Sequence, residues 1–126
     1  MDTNFLMTPA QFNVDVFGEL ARLIDVSYEL FVPDLVVKEL QTLAKKGPLK
    51  NRKAARVALG LARGIKTIKV EGNNPDEAIL SITDKKTVVC TNDKKLRERV
   101  MKKGGKVVFL RQKRILQLEG GDVGIS

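Results

Sequence analysis

Residues 87–96 read Thr-Val-Val-Cys-Thr-Asn-Asp-Lys-Lys-Leu. Thr87 to Thr91 is an apolar, β-branched run, which suits a strand buried on both faces. Lys94 to Lys103 follows as a basic helical stretch and stops at Gly104-Gly105. Lys106 to Leu110 then reads as another strand. Asp93 therefore stands in the loop just after a buried strand. In open α/β sheets, ligands bind outside the carboxyl ends of the strands. Asp is also a good N-cap for the helix that follows, so position alone leaves both roles open.

The same alternation extends upstream. Asn73-Asn74-Pro75 is a turn that caps a helix from about Pro75 to Thr83, and Lys66 to Val70 alternates like a strand. A helix over about Leu49–Arg63 ends at Gly64. Gly47-Pro48 separates it from a helix opened by Pro33-Asp34, with Val36, Leu40 and Leu43 on one face and its end near Lys46. Tyr28 to Val32 is a short strand. Thr8-Pro9-Ala10-Gln11 has the form of a capping box, and Phe12, Val16, Leu20 and Leu23 recur at helical spacing. One helix running to about Ile24 is expected there, with Asn13 or Asp15 as alternative caps. The residues after Arg114 read as a tail, so the expected division is a domain over 1–114 and a tail over 115–126. The apolar Ile115-Leu116-Gln117-Leu118 stretch can pack on the core or on a partner.

Strands alternating with helices indicate an α/β fold, a parallel sheet with helices on both faces. That pattern calls for a strand before the first helix, but the chain opens Met1-Asp2-Thr3-Asn4. Either the sheet lacks a strand or the chain lacks its native first residues.

A length of 126 residues fits one domain. There is no His and one Cys, which excludes a His base, a Ser-His-Asp triad, a disulfide framework and a cysteine-based zinc site. No apolar run approaches the roughly 20 residues of a membrane span, and no signal sequence opens the chain. A soluble cytoplasmic protein is the expectation, with chemistry run by carboxylates, hydroxyls, Lys, Arg or an oxygen-bound metal.

Charge is segregated. Residues 1–44 carry seven acids and two bases, and residues 45–126 carry 21 bases and eight acids. Lys45 to Lys69 holds nine bases and no acid. Lys94 to Arg114 holds eleven charged side chains, of which only Glu98 is acidic. Such density suits a phosphate backbone, although a solvated basic surface gives the same pattern.

Four acids stand out. Asp93 is one. Glu39 touches the apolar stripe of its own helix, where a carboxylate is expected to be paired or metal-bound unless it reaches solvent at the stripe's edge. Asp76 lies in the first turn of a helix, where the macrodipole favours an anion with or without a ligand. Asp2 would end the missing first strand. These four come from separate elements that a parallel sheet can converge on one edge. Clustered carboxylates repel unless a hard cation neutralises them, and Mg²⁺ or Mn²⁺ prefers oxygen ligands and bridges to phosphate.

On these residues the sequence resembles the PIN domain, the PilT N-terminus family. Met1-Asp2-Thr3-Asn4 looks like its first motif, Val36-Val37-Lys38-Glu39-Leu40 like its helical Glu motif, Asp76-Glu77-Ala78-Ile79 like its third acidic motif, and Thr91-Asn92-Asp93-Lys94-Lys95-Leu96 like its T-x-D-x-x-L motif. The resemblance implies a three-layer sandwich around a parallel sheet of strand order 3-2-1-4-5, with the central first strand truncated here. It implies a Mg²⁺- or Mn²⁺-dependent endoribonuclease with Asp2, Glu39, Asp76 and Asp93 as metal ligands. Asn4, Thr91 and Asn92 would support them, and Lys45, Lys46, Lys50, Arg52, Lys53, Lys94 and Arg97 would bind RNA. Thr8-Pro9-Ala10-Gln11-Phe12 and Leu96-Arg97-Glu98-Arg99 look most like archaeal relatives of the eukaryotic small-subunit pre-rRNA processing nuclease. An rRNA precursor is thus the expected partner, with a homodimer possible in this family. The alternatives are a non-catalytic RNA-binding scaffold and a VapC-like toxin ribonuclease. Cys90 is expected to be a buried core residue.

Overall fold

A computed structural model describes residues 1–24 and 26–120. The N-terminus turns straight into α1, Thr3–Phe12, because the Asp2 carboxylate caps it by accepting from Thr3 N. The single helix expected as far as Ile24 is two. Asn13 takes the left-handed conformation (φ 54°) and its N–H closes α1 on Pro9 O. Asp15 then accepts from Gly18 N and starts α2, Val16–Leu23. Thr8 is not a cap. It is buried inside α1, where its hydroxyl bonds back to Asn4 O.

The remaining elements follow the expected order with shorter strands. They are β1 Phe31–Pro33, α3 Asp34–Lys46, α4 Leu49–Ala62, β2 Lys66–Ile68, α5 Pro75–Ser81, β3 Val88–Cys90, α6 Lys94–Lys102, β4 Lys106–Arg111 and β5 Ile115–Gly120. Strands β1 and β2 pair in parallel, as do β3 and β4. Helices α1, α3 and α4 pack together, α5 packs on α6, and α6 lies on β4. Phe5, Leu20, Val32, Leu40, Leu96 and Val107 are fully buried between them.

Two expectations need correction. Ile115–Gly120 is not a tail but β5, antiparallel to β4 from Arg111↔Ile115 to Lys106↔Gly120. Leu116 is buried in the core. The rest of the proposed tail, 121–126, lies outside the described residues. The second correction concerns the sheet, which is not continuous. One sheet is β1-β2 and the other β3-β4-β5. Met1 and Asp2 bridge them. The Met1 ammonium donates to Phe31 O at 3.1 Å, and Asp2 N donates to Cys90 O at 2.9 Å. These two residues tie the sheets together, at the first residue of β1 and the last residue of β3.

Candidate active site

The site is built outward from the end of β3. Thr91 follows that strand and is fully buried, with its N–H anchored on Val108 O of β4. Its hydroxyl donates to Asp2 Oδ2 at 2.7 Å and accepts from Asp93 N at 3.1 Å. Asp2 is 5% exposed, and its other carboxylate oxygen takes Thr3 N at 2.7 Å. Thr91 is therefore the joint between Asp2 and Asp93, the first and last of the four candidate acids. Asp93 plays the cap role left open by its position. Its carboxylate accepts from Lys95 N at 2.9 Å and Leu96 N at 3.3 Å at the start of α6.

Asp76 and Glu39 arrive from the other side of the gap. Asp76 is half-buried in the first turn of α5, a helix capped by Asn74, which accepts from Glu77 N. Glu39 is exposed on α3, so it sits at the edge of the apolar stripe and not under it. Asp76 and Asp2 sense the acids around them. Burial pushes the Asp76 carboxyl above the usual carboxylate range, and the charges of Asp93 and Glu39 push it further. Arg99 partly offsets this. Burial likewise raises Asp2, against the opposing bonds from Thr91 and Thr3, and the charge of Asp76 adds to the rise. None of the four makes an ion pair among the described residues, where the two ion pairs are Arg22–Glu19 and Arg99–Glu77.

The arrangement brings four carboxylates into electrostatic reach without bringing them into contact. Among the described residues, no three acids stand close enough to share one coordination sphere. The donor chemistry nonetheless fits a hard cation: oxygen only, anionic and, among the described residues, in no ion pair. Mg²⁺ is commonly held by one or two carboxylates, with water and substrate phosphate completing its shell. A buried hydroxyl, Thr3 Oγ1, lies next to Asp2 in the chain and has no hydrogen-bond partner.

The supporting residues divide. Thr91 is at the centre of the site. Asn92 is a structural tie: its Nδ2 donates to Thr8 Oγ1 at 3.1 Å, and its Oδ1 accepts from Leu110 N at 2.8 Å. Asn4 is exposed on α1. Among the bases, Lys45, Lys46, Lys50 and Lys53 are exposed around the α3–α4 junction, and Lys94 is exposed beside Asp93. Arg52 is half-buried, with a buried Nε that has no partner. Arg97 is also half-buried, and its guanidinium lies 3.9 Å above the Phe109 ring. Sequence reasoning missed Arg99, which bonds Glu77 at 3.3 Å and tempers Asp76. No sequence spacing shows that α5 and α6 are neighbours.

With this geometry in place, comparison with known proteins is direct. A PIN like domain family profile matches residues 1–113. A ribonuclease of Methanocaldococcus jannaschii, VapC4, is 31% identical over 123 residues, covering 94% of each chain. The solved PIN domain endonuclease Utp24 superposes with a TM-score of 0.70 at 25% identity, over 94% of this chain and 87% of that one. The profile spans all four acidic motifs, and the fold they sit on is shared. The chain belongs to the PIN-like domain family.

Proposed function

We propose that this chain is a metal-dependent endoribonuclease that hydrolyses RNA phosphodiesters. The observation that carries the reading is a set of four acids that make no ion pair among the described residues, Asp2 and Asp93 at the N-caps of α1 and α6, Glu39 on α3 and Asp76 on α5, linked through the field at Asp76 and adjoined by the exposed Lys94. The names of the relatives, a ribonuclease and a PIN domain endonuclease, agree with it. One or two of Asp2, Glu39, Asp76 and Asp93 would bind Mg²⁺ or Mn²⁺ directly and the others through its water shell; the ion would lower the pKa of a bound water and stabilise phosphate charge. Thr91 keeps Asp2 and Asp93 in register. Lys94 and the α3–α4 lysines hold the RNA backbone. Hydrolysis adds the water oxygen to phosphorus and breaks one P–O bond of the backbone, leaving a phosphate end and a hydroxyl end.

A structured RNA, an rRNA precursor in particular, is the favoured substrate. Support comes from the resemblance carried by the 8–12 and 96–99 segments. The similarity to VapC4 favours the toxin reading as the rival. Cleavage of precursor rRNA fragments at discrete positions supports the first. Growth arrest on expression, relieved by a small neighbouring protein, supports the second. A homodimer is part of the proposal, and sedimentation at micromolar concentration tests it.

The direct test of catalysis is cleavage of an end-labelled RNA with Mn²⁺, Mg²⁺ or EDTA. Metal-dependent cuts that vanish in Asp76→Asn support the enzyme. RNA binding without cuts under every condition supports the non-catalytic scaffold.

A further inference from the structure

The turn between β4 and β5 is both strained and charged. Gln112 and Lys113 take left-handed φ (52° and 58°), which Asn-Gly adopts readily and two long side chains adopt at a cost. Strain of this kind collects at ligand clamps and active sites. Arg111, Lys113 and Arg114 are exposed on this turn, and none makes an ion pair among the described residues. Gln117 Oε1 accepts from Arg111 Nη1 at 3.2 Å and steadies it. Lys113 Nζ stands over the Phe12 ring, 5.7 Å from its centre, and that ring is 37% exposed.

The turn lies close to the candidate acids. Asn92, next to Asp93 in the chain, holds Thr8 of α1 with its Nδ2 and Leu110 N of β4 with its Oδ1. From that joint α1 runs one turn, about 6 Å, from Thr8 to Phe12. Strand β4 runs from Leu110 through Arg111 into the turn, and the two elements meet again at the Lys113–Phe12 pair. Helix α6 carries Arg97 one turn after Asp93, with its guanidinium over Phe109, two residues before Arg111. Cations and aromatic rings thus alternate outward from Asp93.

From this geometry we propose that the β4–β5 turn is a docking arm for a single-stranded segment of RNA beside the cleaved bond. Arg111, Lys113 and Arg114 hold its phosphates, and Phe12 stacks one of its bases. The proposal rests on the reading of RNA as the substrate. A strand of phosphates and bases is what cations set beside an exposed ring match. A single strand is favoured over a duplex, because a base must be free of its pair to lie on the ring. The strained backbone at Gln112 and Lys113 is then what keeps Lys113 at Phe12.

The test is binding of a fluorescent oligouridine to the full chain, read by anisotropy in EDTA over a range of salt. Gln112→Asn combined with Lys113→Gly relaxes the turn. It is expected to melt no lower than the wild type and yet to bind roughly fivefold more weakly. Arg111→Gln, Lys113→Gln and Arg114→Gln together should flatten the log–log salt slope by about two. Phe12→Leu should weaken binding about tenfold and leave the slope unchanged, since a stack releases no counterions. Wild-type affinity in the relaxed-turn and triple variants would overturn the proposal, as would a wild type that does not bind oligouridine. Poly-glutamate competing as well as oligouridine of equal charge would also overturn it, because charge alone would then explain binding. The nuclease reading fails separately. Metal-dependent cuts with unchanged binding in these variants would overturn the arm alone. Weakened binding in them, with no cuts under any condition, would overturn the nuclease and leave the arm.

Discussion

Asp93 caps α6 and, in the proposed nuclease, would also serve the cation; the two roles separate by substitution. Asn caps helices about as well as Asp, but it lacks the charge a cation needs. Asp93→Asn is therefore expected to keep its melting temperature and to lose cleavage by roughly 100-fold or more. Asp93→Ala should lose the same activity and also about 1 kcal/mol of stability, read by urea unfolding. Thr91 predicts a different pattern. Thr91→Val removes the donor to a buried carboxylate and the acceptor for Asp93 N, which should cost about 1–3 kcal/mol. Asp76 offers a pH signature. Its folded-state pKa is raised, so its protonated form stabilises the fold below the ordinary carboxylate range, and that contribution is lost as pH climbs through the raised value. Compared with Asp76→Asn, the metal-free wild type should fall behind in Tm as pH rises from about 4 to 7. Added Mg²⁺ should close that gap if the carboxylates bind it. That Asp2 and Asp93 belong together was legible from their motifs. That Thr91 joins them was not, because a hydrogen bond across 89 residues has no local sequence sign.

At the scale of elements, the alternation of strands and helices was readable because glycine and proline punctuate it: Gly47-Pro48, Gly64 and Gly104-Gly105 each mark an end. The misreadings occurred where that punctuation was missing or misleading. Thr8-Pro9 imitates a helix start, yet Pro9 lies inside α1, and the break falls on the left-handed Asn13. The β4–β5 hairpin has no Asn-Gly or Asp-Gly signal. Gln112 and Lys113 both take left-handed φ (52° and 58°), and Arg114 N closes the turn on Arg111 O. That conformation is costly for two long side chains. Replacing Gln112-Lys113 by Asn-Gly should raise stability by about 1 kcal/mol in urea unfolding. Ending the chain at Arg114 should do the reverse. It removes the buried Leu116, along with its backbone bonds to Glu19 and Arg22 of α2, at a cost of about 2–5 kcal/mol. A tail that packed on nothing would leave the unfolding midpoint unchanged.

On the whole molecule, Asp2 and Glu39 of the acidic first third lie within electrostatic reach of Asp76, as does Asp93. Lys45, Lys46, Lys50 and Lys53 at the α3–α4 junction and Lys94 at the start of α6 are exposed. Repulsion among carboxylates is the feature a cation would relieve, and the lysines are what a polyanion would neutralise. RNA binding should therefore weaken steeply with salt. Replacing Lys45, Lys46, Lys50 and Lys53 by Ala should flatten the log–log salt slope by about three for a single strand. Arg97 should contribute less than its charge suggests, because its guanidinium is already stacked on Phe109. The measurement closest to the central claim is cleavage of an end-labelled RNA carrying single-stranded and hairpin regions. The wild-type chain and Asp93→Asn, matched in melting temperature, are compared in Mn²⁺, Mg²⁺ and EDTA. Discrete cuts that need the metal and disappear in Asp93→Asn are the expected result. Cuts that persist in EDTA or in the variant would contradict the metal-dependent nuclease.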